Sequence, residues 1–224
     1  MNRLALSIIF GCLVLSANSI GQPIKFENYT LTPNLTFVSI QNISNSKVVR
    51  VIKDSTQEGA DLPTFAKING IDFRNGIIEV KVLSRLLKTA PASARGFIGV
   101  AFHISEDNSK FESIYLRPTN GRAEDQLRRN HSIQYFSYPD YKFDRLRKEA
   151  EGVYETYADM GLNEWITMRI EVKGKQAKLF LNNQKQPALI VNDLKLGENV
   201  SGSIALWVDI GTEGFFKDIK IRKE

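Results

Sequence analysis

Eight short segments of this chain alternate apolar side chains with polar or aromatic ones. That period of two is the one an extended strand imposes, because successive side chains point to opposite faces of a sheet. The segments are rich in β-branched and aromatic residues, and Gly, Asn, Asp or Pro lies between them. They read NGIIEVKVLS, RGFIGVAFHIS, FESIYLRP, HSIQYFSY, WITMRIEVKG, QAKLFLNN, GSIALWVDI and GFFKDIKIRK. The pattern predicts an all-β fold of two packed antiparallel sheets.

Nothing in the sequence divides this fold into several domains. The chain has 224 residues, a length that all-β folds reach as single units, and it contains neither a repeat nor an evident linker. The segment DRLRKEAEGVYETYADMG is the best candidate for a helix. We therefore predict one sandwich or jelly-roll domain with little helix.

The first 21 residues have the pattern of an export signal. One basic residue, Arg3, precedes an apolar run from Leu4 to Leu15, and small residues follow it. Cleavage after Ser19 or after Gly21 fits this pattern. We therefore expect a signal peptide over residues 1–21, a mature domain over residues 22–224, and a secreted or periplasmic location.

Charge and cysteine content narrow the partners. The formal net charge is +5, and removal of Arg3 leaves 29 Lys and Arg against 25 Asp and Glu, which is +4. So mild a charge does not favour a nucleic-acid partner. The only cysteine, Cys12, lies inside the apolar run, and lipidation there is the less favoured alternative because the run continues beyond it. No later segment is long and apolar enough to predict a membrane span.

Strand alternation predicts which side chains share a face. In RGFIGVAFHIS the residues Ile98, Val100 and Phe102 form the apolar face, and His103 lies on the other face. The same rule gives three further strands an outer face of polar and aromatic groups. The predicted outer-face residues of the four strands include Glu79, Lys81, His103, Tyr115, Arg117, Trp207 and Asp209. Flat rings and planar hydrogen-bonding groups together suit a sugar, so we predict a saccharide-binding groove.

A long polar loop joins two of these strands. In YLRPTNGRAEDQLRRNHSIQY, the flanking strands would place Tyr115, Arg117 and one of Gln134 or Tyr135 in the groove. The loop would add a rim of polar side chains, namely Asn120, Arg122, Asp125, Arg129, Asn130 and His131. Arg can bind a carboxylate or a diol, and His can act as an acid or a base near neutral pH.

Three passages carry a family resemblance. NEWITMRIEVKGKQAKLFLNN resembles a hairpin of concanavalin A-like domains, GSIALWVDIGTEGFFKDIKI resembles their closing strands, and FRNGIIEVKV followed by ARGFIGVAFH resembles their opening pair. Together these passages are similar to the 3-keto-disaccharide hydrolase-like family, from about Gly59 to the C-terminus. The resemblance implies a glucanase-like or laminin-G-like jelly roll of the kind common in exported bacterial proteins. It says less about activity, because this fold hosts lectins, hydrolases, lyases and adhesion modules.

One departure from related enzymes narrows the chemistry. Retaining glucanases of glycoside hydrolase family sixteen, which share the fold, carry Glu-x-Asp-x-x-Glu on one strand, a spacing that suits double displacement. This sequence has no such motif. Keto-sugar cleavage, elimination chemistry and binding without turnover stay open. A laminin-G-like module that binds saccharide or protein without catalysis is the alternative function.

The candidate residues follow from the groove. Catalysis needs an acid and a base within reach of one bond, and the candidates are Glu79, His103 and His131. The candidates for substrate binding are Tyr115, Arg117, Asn120, Arg129, Gln134, Tyr135, Trp207 and Asp209.

Structural roles compete with several of these assignments. His103 fits a hydrogen-bonded sheet residue better than a catalyst, whereas alternation favours the groove over the core for Trp207. The loop arginines Arg122, Arg128 and Arg129 could equally pair with Glu124 and Asp125.

The sequence predicts no cofactor. In EDNSKFE, oxygen ligands from Glu106, Asp107 and Asn108 could hold calcium, but their spacing matches no known loop. The predicted partner is a glycan or a small saccharide.

Overall fold

Two antiparallel sheets pack face to face in the computed structural model, which describes residues 22–224. The predicted signal peptide lies outside the described residues. The first sheet has eight strands. In spatial order they are β1 (Ile24–Phe26), β2 (Tyr29–Asn34), β5 (Phe65–Phe73), β14 (Gly202–Val208), β7 (Ile98–Ile104), β8 (Phe111–Leu116), β9 (Ile133–Tyr138) and β10 (Glu155–Thr156).

The second sheet has seven strands and closes the sandwich. Their spatial order is β13 (Leu189–Val191), β12 (Gln176–Leu181), β11 (Ile166–Lys173), β6 (Gly76–Leu86), β15 (Thr212–Lys223), β4 (Ser46–Lys53) and β3 (Thr36–Ile43). Two short helices, α1 (Gln126–Asn130) and α2 (Phe143–Glu149), flank β9 in the chain. Neither of these helices, within the described part of the chain, is long enough to cross a membrane.

The predicted fold is confirmed. All eight alternating segments form strands, β6 to β9, β11, β12, β14 and β15, in an all-β jelly roll. The sequence pattern did not single out the shorter or less regular strands β1 to β5, β10 and β13. The predicted helix is shorter than its segment, since α2 ends at Glu149. Gly152 follows with a positive φ of 73°, and the chain then enters β10.

The inner faces of the two sheets form the main core. Gly214 of β15 lies directly over the first sheet, where a Cβ would come within 2.5 Å of Val208 Cγ1 and 3.2 Å of Ile98 Cδ1. This close approach places the apolar faces of β7 and β14 between the sheets, as alternation predicts. Packing at this density leaves no room for a larger side chain at residue 214.

The outer face of the eight-stranded sheet is buried as well, which the sequence did not predict. The rings of Tyr115 and Trp207 lie 4.8 Å apart, and Phe136 lies 5.4 Å from Trp207. Gly99 stands between β8 and β14, where a Cβ would be 2.6 Å from Tyr115 Cβ, so glycine lets the rings meet. Trp207 Nε1 donates a hydrogen bond to the Leu62 carbonyl at 2.8 Å. The outer face therefore carries a second aromatic core.

Two segments cover that second core. The β4–β5 loop over residues 54–64 supplies the Leu62 carbonyl, and residues 139–149, including α2, pack against β9. The two segments meet where the Phe143 amide donates to Asp61 Oδ2 at 2.9 Å. The expected open groove is therefore closed over most of its length.

Candidate functional site

A cavity of about 680 Å³ remains at one end of the eight-stranded sheet. It lies where β8 and β14 end and β7 begins, and its other walls are the β4–β5 loop, the segment around α1, and α2. Ligand pockets in proteins commonly have about 300–1,000 Å³. The cavity is therefore of the size of a small-molecule site, and titratable side chains line it.

Arg117 forms the floor of this cavity. It follows β8 on the outer face and is only 5% exposed. Its guanidinium donates to the Tyr115 hydroxyl at 2.7 Å and to the His131 carbonyl at 3.1 Å, and more weakly to Gln134 Oε1 at 3.4 Å. These acceptors hold the planar group in one orientation. Burial raises the pKa of Tyr115 well above its usual value, although Arg117 opposes the shift. Tyr115 therefore keeps its proton.

Asp61 supplies a basic carboxylate on the facing wall. It lies in the β4–β5 loop with a positive φ of 51°. Burial raises its pKa from 3.8 to about 6, the Phe143 amide opposes this shift, and the charge on Asp209 adds to it. Oδ2 accepts from Phe143, while Oδ1 accepts no hydrogen bond from any described residue. A carboxylate with this pKa is ionised at neutral pH, yet it is a stronger base than an ordinary Asp.

Asp209 anchors the loop that carries Asp61. Its Oδ1 lies 2.7 Å from Lys53 Nζ in a buried ion pair, and its Oδ2 accepts from the Asp61 amide at 3.0 Å. Asp209 lines the cavity, as Asp61 does. Its bonds tie β4, the end of β14 and the β4–β5 loop together, so its role in this geometry is to position Asp61.

His131 lines the opposite wall, after α1. Nδ1 lies 2.7 Å from Glu155 Oε2, but the angle is not that of a hydrogen bond. Burial lowers the pKa of His131, Glu155 opposes the shift, and Arg147 and Arg117 add to it. The imidazole is therefore neutral at neutral pH. His131 also lines a neighbouring cavity of about 390 Å³.

Glu155 links two arginines behind this wall. Arg147 of α2 binds it through two parallel hydrogen bonds of 2.9 and 2.7 Å, and Arg117 lies 3.9 Å away. Such a bidentate pair fixes both side chains. It also fixes α2 against β10, and through α2 the Phe143 amide that binds Asp61.

The structure brings five of the predicted site residues together around the cavity. These are Tyr115, Arg117, Asn120, His131 and Asp209. Asn120 donates to the His131 carbonyl at 3.0 Å and accepts from Arg128 Nε at 2.9 Å. It thus orders the loop that forms the rim of the cavity.

Two of the predicted catalytic residues lie elsewhere. Glu79 belongs to β6 in the other sheet and pairs with Lys220 at 2.9 Å, so its placement in the groove is wrong. His103 sits at a β-bulge with a positive φ of 53°, which turns it away from its predicted face. Its Nδ1 lies 2.8 Å from Glu112 Oε2 and its Nε2 2.8 Å from the Arg74 carbonyl. His103 is thus a hydrogen-bonded sheet residue.

Three predicted binding residues also lie away from the cavity. Tyr135 is on the inner face, where its hydroxyl donates to Glu112 Oε1 at 2.9 Å. Gln134 is buried behind Arg117, and its amide donates to the Tyr135 carbonyl at 2.7 Å. Arg129 lies outside and binds the Tyr157 hydroxyl at 2.9 Å.

Trp207 needs a correction of its own. It lies on the outer face, as alternation predicts, but it is fully buried. An exposed stacking platform is therefore wrong for this residue. The covering loop that hides it gave no signal in the sequence.

The loop arginines do not form the predicted pairs. Arg122 binds Asp159 at 2.7 Å and Glu164 instead. Arg128 binds Asn120 and the Thr119 hydroxyl. The acidic Asp125 caps α1 by accepting from the Arg128 amide at 2.9 Å.

Sequence reasoning missed Asp61, Phe143, Arg147 and Glu155. Asp61 lies in a loop without periodicity, Arg147 and Glu155 fall in the segment predicted as a helix, and Phe143 directly precedes that segment. Only the tertiary fold brings these residues to Arg117.

The predicted calcium loop uses its oxygens in a turn. Asp107 Oδ1 accepts from the Ser105 and Ser109 hydroxyls, both at 2.7 Å, and these bonds lower its pKa to about 2. Asn108 Oδ1 accepts from Lys67 at 2.8 Å. Within residues 22–224 no cluster of three His, Cys, Asp or Glu has a metal-binding arrangement.

Comparison with known families decides the kinship of the chain. Residues 25–222 match the model of the 3-keto-alpha-glucoside-1,2-lyase-like domain. The chain belongs to this family. The match extends the resemblance seen in the sequence to nearly the whole described domain. No curated protein matches the chain.

Solved structures confirm the jelly-roll fold of this family member. The carbohydrate binding module CBM66 from Bacillus subtilis is similar at 10% identity and a TM-score of 0.54, over 85% of this chain and 97% of that one. A protein of unknown function with a galectin-like fold, also from Bacillus subtilis, is similar at 10% identity and a TM-score of 0.51, over 84% and 87% of the two chains. At such identities the likeness concerns the fold.

Proposed function

We propose that this protein binds a 3-keto-glycoside in the 680 Å³ cavity and cleaves it by elimination. One observation carries the proposal. A carboxylate with a raised pKa, Asp61, and a protonated hydroxyl bound to a guanidinium, Tyr115 with Arg117, line one small cavity. The kinship with a lyase-like family supports the same chemistry.

The reaction follows from the substrate's own chemistry. In a 3-keto-glycoside the hydrogen on C2 is adjacent to the ketone, so its removal gives a stabilised enolate. A base takes that proton, the C1–C2 double bond forms, and the bond from C1 to the glycosidic oxygen breaks. The leaving oxygen keeps the electron pair and takes up a proton. No metal ion and no external oxidant enter this balance.

Each group of the site has a place in this sequence. Asp61 takes the C2 proton, because a base works best when its pKa lies near the working pH. The Tyr115 hydroxyl accepts from Arg117 and donates to no described residue, so its hydrogen is available to the ketone oxygen. Donors aimed at a developing negative charge are the largest single contribution in many enzymes. His131, neutral at the opposite wall, would bind a hydroxyl of the sugar.

The test uses the mature protein and a panel of 3-keto-glycosides beside their unoxidised parents. We expect release of the aglycone from the keto sugars only. Asp61→Asn should lower turnover by about 10²- to 10⁴-fold and retain binding. Glu79→Gln is the matched control, because Glu79 lies on the other sheet.

Three outcomes separate the alternatives. Turnover that Asp61→Asn leaves unchanged would remove the proposed mechanism. Binding of a glycoside without any turnover would make the protein a carbohydrate-binding module. Binding of no saccharide at all would favour the adhesion module instead.

We also propose that the protein is exported. The basic residue, apolar run and small residues of positions 1–21 support this proposal. Mass spectrometry of the protein from its native source should find a chain that starts near Ile20 or Gln22. An intact Met1, or a lipid on Cys12, would contradict it.

A further inference from the structure

We propose that the glycoside carries an anionic substituent, which binds between Arg95 and Arg128 at the rim of the cavity. The proposal rests on the proposed function, since it concerns the ligand of the same cavity. It names the class of substrate: a saccharide with a carboxylate, sulfate or phosphate group.

The two arginines are held close together by Thr119. The Thr119 amide donates to the Arg95 carbonyl at 3.2 Å, while the Thr119 hydroxyl accepts from Arg128 Nη2 at 3.1 Å. Arg128 Nε is fixed by Asn120, which leaves Nη1 without a partner among the described residues. Arg95 Nη1 donates to the carbonyls of Ala92 and Ala94, at 2.6 and 2.8 Å. Both guanidinium groups are thus oriented and keep free donors.

Neither arginine has a carboxylate partner. Within residues 22–224 no carboxylate lies within 4 Å of either guanidinium, whereas six other arginines do form such pairs. These are Arg50, Arg117, Arg122, Arg145, Arg147 and Arg169. Among the described residues, Arg74, Arg85, Arg129 and Arg222 also lack a carboxylate partner, but these four lie away from the cavity. Arg95 and Arg128 line it, so their unpaired charge is open to a ligand there.

The other charges around the cavity do not compensate these two cations. Asp125 accepts from the Arg128 amide as the cap of α1, Asp209 is paired with Lys53, and Asp61 lies in the β4–β5 loop. Burial lowers the pKa of Arg95, and repulsion from the charges of Arg128 and Arg117 adds to the shift. An anion placed between them would relieve that repulsion.

The position of the arginines also orients the sugar. An anionic substituent is attracted to Arg95 and Arg128 and repelled by Asp61 and Asp209. The uncharged ring carbons therefore face Asp61, which is the orientation that proton abstraction requires. Planar guanidinium groups bind carboxylate and sulfate through paired hydrogen bonds.

Calorimetry with matched ligands tests the proposal. The ligands are methyl glucoside, methyl glucuronide, methyl glucoside 6-sulfate and inorganic sulfate, each at low and at moderate salt. We expect the two anionic sugars to bind at least ten-fold more tightly than methyl glucoside, with a smaller preference at the higher salt. The stronger of the two tells carboxylate from sulfate ester.

Variants of Arg95 and Arg128 test whether these residues cause the preference for anionic sugars. Arg95→Gln and Arg128→Gln should each reduce it, and the double variant should abolish it while methyl glucoside binds as before. Arg145→Gln is the control, because Arg145 is exposed and pairs with Glu149 away from the cavity. Melting temperatures of all variants show that they fold. Arg95→Gln remains informative if Arg128→Gln does not fold, since Arg95 binds only carbonyls of its own segment.

Two results would overturn the inference that the substrate is anionic. Both are distinguishable from the result that would overturn the proposed function. Equal binding of neutral and anionic sugars would refute it and leave glycoside binding intact. Inorganic sulfate as strong as the sugar anions would make the rim a general anion site. If the folded protein binds none of these sugars and none of the 3-keto-glycosides of the turnover panel, the proposed function itself is overturned.

Discussion

The two histidines of this chain lie at the ends of two very different polar clusters on the same sheet. His103, Glu112 and Tyr135 form a closed cluster on the inner side, where every side-chain partner is within 2.9 Å and the side chains are buried. Asp61, Arg117 and His131 form an open cluster at the cavity. The closed cluster has complete hydrogen bonds. In the open cluster Asp61 Oδ1 accepts no hydrogen bond from a described residue, and His131 Nδ1 lies 2.7 Å from Glu155 Oε2 without hydrogen-bond geometry.

The difference between the two clusters shows that the hydrogen bonds of a buried polar group help to separate a structural role from ligand binding. A buried group whose partners are complete stabilises the fold and has no capacity left for a ligand. A buried group with incomplete partners costs stability, and it persists where a ligand completes it. On this criterion the inner cluster is structural and the cavity is the functional site. Four predictions with five substitutions test this division, in order of decreasing effect.

Glu112→Ala should have the largest effect on stability. Its carboxylate serves the His103 ring, the Tyr135 hydroxyl and the Leu196 amide at once. Each buried group left unpaired costs about 1–3 kcal/mol. Urea denaturation of the variant measures the sum, and sugar binding by the remaining folded protein should be unchanged. A stable variant that has lost binding would reverse the division.

Trp207→Ala should come next, at about 3–5 kcal/mol, the usual cost of deleting a buried aromatic ring. The ring packs on Tyr115 and Phe136 beneath the covering loop. Because Tyr115 lines the cavity, some loss of ligand affinity should accompany the loss of stability. A variant as stable as the natural protein would show that the second aromatic core does not contribute.

The sequence predicted the scaffold of this comparison better than its site. Alternation placed Ile98 and Val208 inside and Tyr115 and Trp207 outside, because a strand fixes those directions locally. It could not predict the loop that covers Trp207, whose position depends on contacts made far along the chain. A bulge also turned His103 inward, and one irregular residue is enough to invert a face.

The geometry of the cavity depends on long-range contacts more than the strand faces do, so the sequence predicted it less well. Asp61 meets Phe143 and Asp209 only through the fold, and its basicity comes from burial there. No local pattern in the β4–β5 loop marks it. Arg117, in contrast, was found because its strand is regular.

Asp61→Asn should stabilise the protein at neutral pH and lower turnover by about 10²- to 10⁴-fold. The pKa of Asp61 is about 6 in the fold and 3.8 as its ordinary value, so the protonated form favours folding. That contribution is complete below pH 3.8 and is lost as the pH rises through 6. The ionised carboxylate therefore costs the fold about 3 kcal/mol at pH 7.5, from about 1.4 kcal/mol for each pH unit. Asn keeps the shape without the charge.

The measurement compares free energies of unfolding of the two proteins at pH 4 and at pH 7.5. The advantage of the Asn variant should be small at pH 4 and grow toward pH 7.5. Turnover by the natural protein should rise over the same interval, as Asp61 ionises. An advantage that is independent of pH would mean that Asp61 is not the titrating group.

Replacing each of the two histidines should give the smallest changes in stability, and it compares the two clusters directly. His103→Gln should lose about 1–3 kcal/mol of stability, because a substituted side chain leaves Glu112 or the Arg74 carbonyl unpaired. His131→Gln should cost about 1 kcal/mol or less, since Nδ1 makes no hydrogen bond and the side chain is 16% exposed.

For ligand binding we expect the opposite order: His131→Gln should have the larger effect and His103→Gln the smaller one. Because the pKa of His131 is lowered, its ring is neutral at pH 7 and gains a charge only as the pH falls below the ordinary range. Asp61 titrates in the same acidic interval, so the comparison is made in proteins that also carry Asp61→Asn. Sugar binding by that protein should change over the interval, and His131→Gln should remove this pH dependence. His103→Gln should keep it. If His131→Gln keeps the pH dependence, then His131 does not contact the ligand, and the open cluster reduces to Asp61, Tyr115 and Arg117.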